Sequence, residues 1–436
     1  MTQAGARRER SVVIVAPHFP PSNLTAGHRS RLFAMHLEKF GWRACVLSVD
    51  PRYYEEALDP ELEKLVPPRL DVVRTRALPT RPIRLVGDLG IRAFWWHYRA
   101  LGRLIKRQGV DLVYIPIPPN FSAVLGPLVH RRYGVPFAVD YIDPWVHPWP
   151  GCEVPLSKAW WAFRLGRLLE PLVLRHVRLV TGVAAAYYEG ALQRSPWLDP
   201  SRCVAMPYGA EESDFDFLGG HPRRPFLFDP DDGNLHIVYA GAMLPRAYST
   251  LEAVFRAVQQ LRERDAREGS RLRLHFIGTG SAPSDPSSHL VMPWAERLGV
   301  SGMVREHPAR IPYLDTLNHL KHSDAVLVLG SSEPHYTASK VFQAVLARRP
   351  VVGILHAQST AAEILRRANA GPVVTFDEIH PASSRVEEIG RALREAVRKG
   401  SYAPERVDWE AFRAYSAEAM AERLAAAFDA ALEWQS

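Results

Sequence analysis

NLHIVYAG (residues 234–241) is a run of apolar and β-branched residues that ends in a glycine, and it is the first indication of the fold of the C-terminal half. Three similar runs follow: RLRLHFIG (271–278), DAVLVLG (324–330) and RPVVGIL (349–355). Helix-length segments separate them. Continuous apolar runs that alternate with helices are typical of a parallel sheet covered on both faces. We therefore predict a doubly wound α/β domain.

The N-terminal half has the same alternation of short apolar runs and longer amphipathic segments. Its predicted strands are SVVIVA (11–16), RACVLSV (43–49), LDVVRT (70–75), DLVYIP (111–116), PFAVDY (136–141) and VRLVTGV (177–183). A helical pattern over residues 28–40 lies between the first two. A second Rossmann-like α/β domain is therefore expected.

A chain of 436 residues suits two such domains of about 200 residues each. The stretch 212–233 is rich in Pro, Gly and Asp and is predicted to link them. We therefore divide the chain into an N-terminal domain (1–211), a C-terminal domain (234–408) and a terminal helical segment (409–436). Ligands of doubly wound domains bind at the carboxyl ends of the strands, so the site is expected in a cleft between the domains.

Composition excludes several classes of protein. Hydrophobic residues make up 47% of the chain and charged residues 23%, and no apolar run approaches the roughly 20 residues of a membrane span. The net charge of +7 comes mostly from arginines spread along the chain, without the basic and aromatic pattern of a nucleic-acid module. Genome composition is an equally good explanation of that charge. The three cysteines form no metal or disulfide pattern, which favours a reducing cytoplasm.

Two loops of the N-terminal half carry candidate residues. The loop 17–31 contains His18 and ends at Gly27, where a helix N-terminus with Arg29 and Arg31 is either an anion site or an ordinary turn. After the fifth strand, VDYIDPWVHPW (139–149) contains Asp143 and His147 among aromatic residues. These side chains could hold a polyol or sugar acceptor. Alternatively, Asp143 caps a turn and the neighbouring tryptophan packs in the core.

Glycines follow the strands of the C-terminal half at positions that favour close approach of a ligand to the backbone: Gly241, Gly278 and Gly280. Arg246 adds a guanidinium that suits phosphate. Ser339 and Lys340 open a helix, where backbone amides and an ammonium suit a diphosphate. Gln343 lies one turn further on and either reaches a ribose or faces solvent.

The order of these loops resembles the GT-B glycosyltransferases, particularly the retaining family 4 and its relatives, over nearly the whole chain. The matching pieces are APHFPPSNLTAGHRSR (16–31), DYIDPW (140–145), MPYGAEESDF (206–215), YAGAMLPR (239–246), HFIGTG (275–280), SDAVLVLG (323–330) and SKVFQAVLARRPVV (339–352). The resemblance implies two Rossmann-like domains facing a central cleft. It also implies a C-terminal helix that crosses back to the N-terminal domain.

The resemblance assigns roles to individual residues. Arg246 and Lys340 would neutralise the donor diphosphate, and Gly27 would face the same phosphates. Gln343 stands where the family has a glutamate that binds the ribose. A second family glutamate near the donor sugar falls on His335, with Glu333 two residues away, so Arg246, Lys340 and His335 become the catalytic candidates. Because both family glutamates are replaced, the resemblance does not identify the donor sugar.

The implied function is transfer of a sugar from a nucleotide-diphosphate donor to an acceptor hydroxyl, with retention at the anomeric carbon, in glycan or glycoconjugate biosynthesis. The acceptor would be a glycan, a glycolipid or a small molecule. Neither a metal nor a cofactor is expected, because cations can replace a metal and the chain's DFD (214–216) lies in the linker. A nucleotide-sugar epimerase and a catalytically silent nucleotide-sugar-binding protein are the alternatives.

Two segments combine arginine with tryptophan: residues 79–109 and KAWWAFRLGRLLEPLVLR (158–175). Such helices can lie in a lipid interface, which would place the protein at the inner face of the membrane near a lipid-linked acceptor. Packing between helices is the alternative interpretation.

Overall fold

The computed structural model describes residues 9–80, 87–148, 151–265, 269–280, 288–333, 339–398, 400 and 402–434. The chain forms two compact units. The first comprises residues 1–209 with 417–436, and the second comprises residues 210–416. The functional division into 1–211, 212–233, 234–408 and 409–436 stays a prediction. The stretch 212–233 begins with a helix that belongs to the second unit.

The first unit is built on a parallel sheet of seven strands. These are β1 (Arg10–Val15), β2 (Trp42–Val49), β3 (Asp71–Thr75), β4 (Leu112–Ile117), β5 (Phe137–Tyr141), β6 (Leu179–Gly182) and β7 (Cys203–Ala205). The helices are α1 (Thr25–His36), α2 (Leu89–Gln108), α3 (Leu125–Tyr133), α4 (Lys158–Leu174) and α5 (Ala186–Arg194). The strand order is β3-β2-β1-β4-β5-β6-β7. Chain direction across the sheet therefore reverses between β1 and β4, which creates a crevice at their carboxyl ends.

The second unit repeats this arrangement with six parallel strands. These are β8 (Leu235–Ala240), β9 (Leu272–Ile277), β10 (Val304–His307), β11 (Ala325–Leu329), β12 (Val351–His356) and β13 (Val373–Phe376). The helices are α6 (Glu212–Gly220), α7 (Tyr248–Arg264), α8 (Met292–Arg297), α9 (Tyr313–His322), α10 (Lys340–Leu346), α11 (Thr360–Ala368), α12 (Val386–Val397) and α13 (Trp409–Arg413). The order β10-β9-β8-β11-β12-β13 reverses between β8 and β11.

The central strands are buried because both faces of each sheet are covered by helices. Val13 of β1 pairs with Cys45 of β2 on one side and with Val113 of β4 on the other. The side chains of β4 and β11 are buried along their whole length. This full burial explains the continuous apolar runs in the sequence and confirms the two-domain α/β prediction.

Three strands were not predicted from the sequence: β7, β10 and β13. β7 and β13 are the outermost strands on one side of their sheets and β10 is outermost on the other side of the second sheet. Their side chains are only partly buried and they have only three or four residues each, so the sequence gives a weak strand signal. The helix predicted over 28–40 begins at Thr25 and tightens into a 3₁₀ turn, Leu37–Phe40.

The terminal segment forms two helices, α13 and α14 (Ala417–Glu433), and α14 belongs to the first unit. The ring of Phe428 packs 5.1 Å from that of Trp42 and 5.2 Å from that of Tyr114. Asp429 accepts from the Arg10 guanidinium at 2.6 Å. The helix predicted to return to the N-terminal domain is thus confirmed. Within the described ranges, no helix combines the length and hydropathy that crossing a membrane requires.

Candidate functional site

Lys340 is the first residue of α10 and lies beside the carboxyl end of β8. Its Nζ donates to the hydroxyl of Tyr239 at 2.5 Å and lies 3.8 Å from the centre of that ring. Burial lowers the pKa of Lys340 to about 7. Among the described residues, no carboxylate pairs with this ammonium. A half-buried cation held only by uncharged groups is a favourable place for an anionic ligand.

Gly241 follows β8 and makes room for the lysine. Its φ is +134°, and its N–H donates to the carbonyl of Ile277 at 2.8 Å. A Cβ at this position would lie 2.9 Å from Nζ of Lys340. Any larger residue would therefore displace the ammonium as well as strain the backbone.

Arg246 and Glu333 form an ion pair near this point, with Nη1 and Oε1 3.1 Å apart. Their side chains are 64% and 39% exposed. The N–H of Ser332 donates to the carbonyl of Arg246 at 3.0 Å, which ties the loop after β11 to the loop after β8. The guanidinium is thus exposed and paired with a carboxylate that solvent reaches.

The glycines after β9 are held by the neighbouring loop. The N–H of Gly278 donates to His307, and that of Gly280 donates to Pro308. Both amides already donate to carbonyls of the protein. The two glycines can therefore let a ligand approach the backbone closely, but their N–H groups are not available to bind it. Between them, Thr279 donates to the buried carboxylate of Glu306 at 2.5 Å. Glu306 also accepts from three backbone N–H groups at the start of α8: Leu290, Val291 and Met292.

The remaining predicted donor residues lie on or before α10. Ser339 occupies the N-cap position, without a side-chain cap hydrogen bond, and the helix itself has only seven residues. Gln343 is half-buried and makes no side-chain hydrogen bond to a described residue. His335 lies outside the described residues.

The first loop of the N-terminal unit places His18 against Glu56. His18 Nδ1 and Glu56 Oε1 are 2.8 Å apart, and Ser22 donates to the same oxygen. Burial alone would raise the pKa of Glu56, but the hydrogen bond and charge of His18 lower it to about 2. Gly27 lies in the first turn of α1, where a Cβ would come within 3.2 Å of the His18 carbonyl oxygen. The predicted residues His18 and Gly27 are therefore neighbours.

Of the two interpretations given for the loop 17–31, the side chain of Arg29 does not support the anion site. Its Nε and Nη2 donate to the two carboxylate oxygens of Asp140 at 2.6 and 2.9 Å, and both side chains are buried. Burial alone would lower the pKa of Arg29, but the charge of Asp140 and its hydrogen bonds raise it well above its ordinary value. Arg31 is also buried and points to the carbonyl of Leu65 at 3.5 Å. Arg29 thus anchors α1 to β5, whereas Arg31 contacts the 3₁₀ turn that ends at Leu65.

Asp143 and His147 follow β5 on the surface of the first unit. Asp143 keeps an exposed face, while the protein atoms around it raise the pKa of its carboxyl to about 6. His147 is half-buried. Trp145 is buried against Gly166 of α4, so the packing role considered for this tryptophan is confirmed.

The sequence of residues 3–209 matches the family described as "Glycosyl transferase 4-like domain". A search of curated protein sequences finds no match. Among solved structures, a glycosyltransferase from Rickettsia africae aligns with a TM-score of 0.61 and 13% identity, covering 98% of this chain and 100% of that one. Sucrose-phosphate synthase from Thermosynechococcus elongatus aligns with a TM-score of 0.62 and 14% identity over 97% and 98%. The chain has the GT-B fold of glycosyltransferases.

A further GT-B structure, Anabaena HepE in complex with UDP, aligns with a TM-score of 0.59 and 14% identity, covering 97% of this chain and 100% of that one. At these identities the likeness shows the fold. In this GT-B chain, Gly241 and Lys340 meet at the carboxyl end of β8, and the Arg246–Glu333 pair joins the loops that follow β8 and β11. That is the point where the strand order reverses.

Two residues of the site were missed by sequence analysis. Tyr239 reads as an ordinary strand residue, although its position two residues before a strand-end glycine could have marked it. No sequence pattern marks Glu56, because it lies 38 positions after His18 and the two side chains meet only in the folded chain. Among the described residues, no three His, Cys, Asp or Glu side chains gather as metal ligands.

Proposed function

We propose that this GT-B chain transfers a sugar from a nucleoside-diphosphate sugar to an acceptor hydroxyl, with retention at the anomeric carbon and without a metal ion. The observation that carries the proposal is the Lys340 ammonium, which is enclosed beside Tyr239 and Gly241 without a carboxylate partner among the described residues. A diphosphate supplies the missing negative charge.

Lys340 would act on the leaving group. As the glycosidic bond to phosphate breaks, negative charge grows on the departing diphosphate, and a fixed ammonium in a water-poor site stabilises that charge. Binding of the anion also favours the charged form of a lysine whose pKa burial has lowered to about 7. The charged form of Lys340 is therefore more stable when the departing diphosphate is bound than when the site is empty.

Arg246 would supply the second cation. Its exposed ion pair with Glu333 is weak in water and can be exchanged for contacts with a phosphate. Glu333 would then be released toward the donor sugar, where a carboxylate can accept hydrogen bonds from hydroxyls. Two cations of this kind supply the charge that a divalent metal supplies in other transferases.

The acceptor side would use His18, Asp143 and His147. The carboxyl of Asp143 has a pKa of about 6. A carboxylate with a pKa close to neutral pH can act as the base that takes the proton from an acceptor hydroxyl. His18 is oriented by Glu56, which leaves its other ring nitrogen for a ligand. We place the reaction in a reducing, cytoplasmic setting, which the three cysteine thiols suit.

The test uses UDP-glucose as the first donor, because HepE was solved with UDP. The protein is incubated with the donor, with and without simple sugars as acceptors and with and without a chelator. The products are identified by NMR, which also reports the anomeric configuration. We expect glycoside formation that needs an acceptor, persists in chelator and retains the configuration.

Other outcomes would change the assignment. If the sugar is changed but stays on the nucleotide in the absence of an acceptor, the epimerase is favoured. A putative UDP-N-acetylglucosamine 2-epimerase from Listeria monocytogenes is among the solved structures with a similar fold. Donor binding without turnover on any of the donors and acceptors would favour a silent binding protein. Complete loss of transfer in chelator would overturn metal independence.

A further inference from the structure

Helix α4 exposes an apolar stripe on the surface of the first unit. Trp161, Leu165, Leu168 and Leu172 are 55%, 43%, 62% and 54% exposed. At 3.6 residues per turn these four positions fall within an arc of about 60° on the helix. Just before the helix, Val154 and Leu156 are also exposed. A contiguous patch of this kind on a folded surface marks an interaction site.

The opposite side of α4 explains why the stripe faces outward. Gly166, Glu170, Val173 and Leu174 are buried against the rest of the unit. Gly166 packs on Trp145, where an added Cβ would come within 3.2 Å of the indole. The helix is therefore fixed by one face, and its large apolar residues lie on the other.

The exposed charges from Lys158 to Arg175 are all positive, and the exposed carboxylate of Glu153 precedes this segment. Lys158, Arg164, Arg167 and Arg175 are exposed along the segment 154–175. The single acidic residue of this segment, Glu170, is fully buried and is bound by Arg194 at 2.6 Å and by the hydroxyl of Tyr141 at 3.1 Å. It cannot neutralise the exposed face. The surface of α4 is thus both apolar and cationic.

Two of the arginines lie over aromatic rings of the same helix. Arg164 lies 5.3 Å from the ring centre of Trp160, and Arg167 lies 5.8 Å from that of Phe163. This stacking holds both guanidinium groups against the surface of the helix that carries the apolar stripe. Tryptophan, leucine and arginine in this arrangement suit the boundary between acyl chains and phosphate headgroups.

The structure separates α4 from the other segment that combines arginine and tryptophan. Helix α2 buries Leu89, Ala93, Leu101 and Leu104 in the unit, and only Trp95 among its large apolar residues is strongly exposed. Inter-helix packing therefore accounts for most of α2. The same explanation fails for α4.

We propose that α4, with residues 154–157, docks the protein on a lipid bilayer that carries anionic headgroups. The stripe enters the interface, and the four basic residues contact lipid phosphates. Charge complementarity selects this occupant, because the exposed face of α4 offers cations and no carboxylate. The proposal does not depend on the transferase activity, since it concerns binding of the free protein.

The test is flotation of the full chain with vesicles of phosphatidylcholine, with and without phosphatidylglycerol. We expect binding to the anionic vesicles that weakens with salt, and much weaker binding to phosphatidylcholine alone. Arg164→Gln with Arg167→Gln should lower the partition coefficient about 25-fold, since each basic residue near the surface contributes about fivefold. Arg391→Gln with Arg394→Gln, an exposed pair of equal spacing on α12, is the matched control and should change little.

A second pair of variants tests the apolar stripe. Trp161→Gln with Leu168→Gln should lower the partition coefficient by about tenfold or more, whereas Ile379→Gln, which is 83% exposed in the other unit, should not. Circular dichroism melts check that each variant folds. Equal binding by the stripe variant and wild type, or no vesicle binding at all, would overturn the proposal. The proposal would also be overturned if analytical ultracentrifugation showed that the wild-type protein is a dimer and that the stripe variant is a monomer.

Discussion

The ammonium of Lys340 donates to the hydroxyl of Tyr239 at 2.5 Å while lying 3.8 Å from the centre of the same ring. The tyrosine is the fifth residue of β8, and the lysine begins the helix that follows β11. These two strands are the neighbours at which the strand order reverses. The sheet therefore positions a poorly hydrated cation in the crevice where this architecture binds ligands.

Gly241→Ala should weaken nucleotide binding through the lysine. The new Cβ would lie 2.9 Å from Nζ, and φ of +134° strains any residue with a side chain. We expect roughly tenfold weaker binding of UDP and a loss of about 1–3 kcal/mol in the free energy of unfolding. Isothermal titration and urea unfolding measure the two effects.

Gly302→Ala is the matched control for that substitution. Gly302 lies in the same unit, has no atom within 4 Å of an added Cβ and shows no strained φ. It should leave UDP affinity unchanged. An affinity of Gly241→Ala equal to that of wild type would contradict the role given to this glycine.

Nucleotide affinity should fall as pH rises through 7. Lys340 is charged below its pKa of about 7 and neutral above it, so the attraction for a diphosphate is lost on the alkaline side. We expect a roughly tenfold loss of UDP affinity from about pH 6.5 to about pH 8.5, and a much smaller change in Lys340→Met. A wild-type profile that matches the variant's would show that Lys340 does not titrate in this range.

Stability of the free protein should respond to the same lysine in the opposite direction. Its folded pKa lies below the ordinary value of 10.5, so the unfolded chain binds more protons between pH 7 and 10.5. Lys340 therefore makes the free energy of unfolding rise with pH in that window. Urea unfolding of wild type and Lys340→Met across the window measures its contribution, and equal slopes for the two proteins would contradict it.

Asp140→Asn should strongly destabilise the first unit. It removes the charge that pairs with the buried Arg29 guanidinium, which would be left without a counter-charge. The expected loss is about 3–5 kcal/mol in the free energy of unfolding. Glu252→Gln, in the half-exposed pair with Arg256, should cost less than about 1 kcal/mol. A similar cost for both substitutions in urea unfolding would argue against a structural role for the buried pair.

The sequence predicts the central strands well because full burial leaves a continuous apolar run, as in β8 and β11. It misses β7, β10 and β13, whose outer positions need few apolar residues. In the candidate site, Gly241 was predicted from its place after a strand and Lys340 from its place at the start of a helix. The pairing of Arg29 with Asp140 was not, because it joins residues 111 positions apart and depends on the register of the first sheet.

The most direct test of the nucleotide-sugar account is calorimetric titration of UDP, GDP and ADP into wild type, Lys340→Met and Lys321→Met. Lys321 lies at the end of α9 in the same unit and serves as the control for removal of one lysine charge. We expect one nucleoside diphosphate to bind wild type and Lys321→Met with the same affinity. This nucleotide should bind Lys340→Met at least roughly tenfold more weakly, because a charge-assisted contact contributes about 1.5–3 kcal/mol. Equal affinity of all three proteins, or binding of none of the nucleotides, would contradict it.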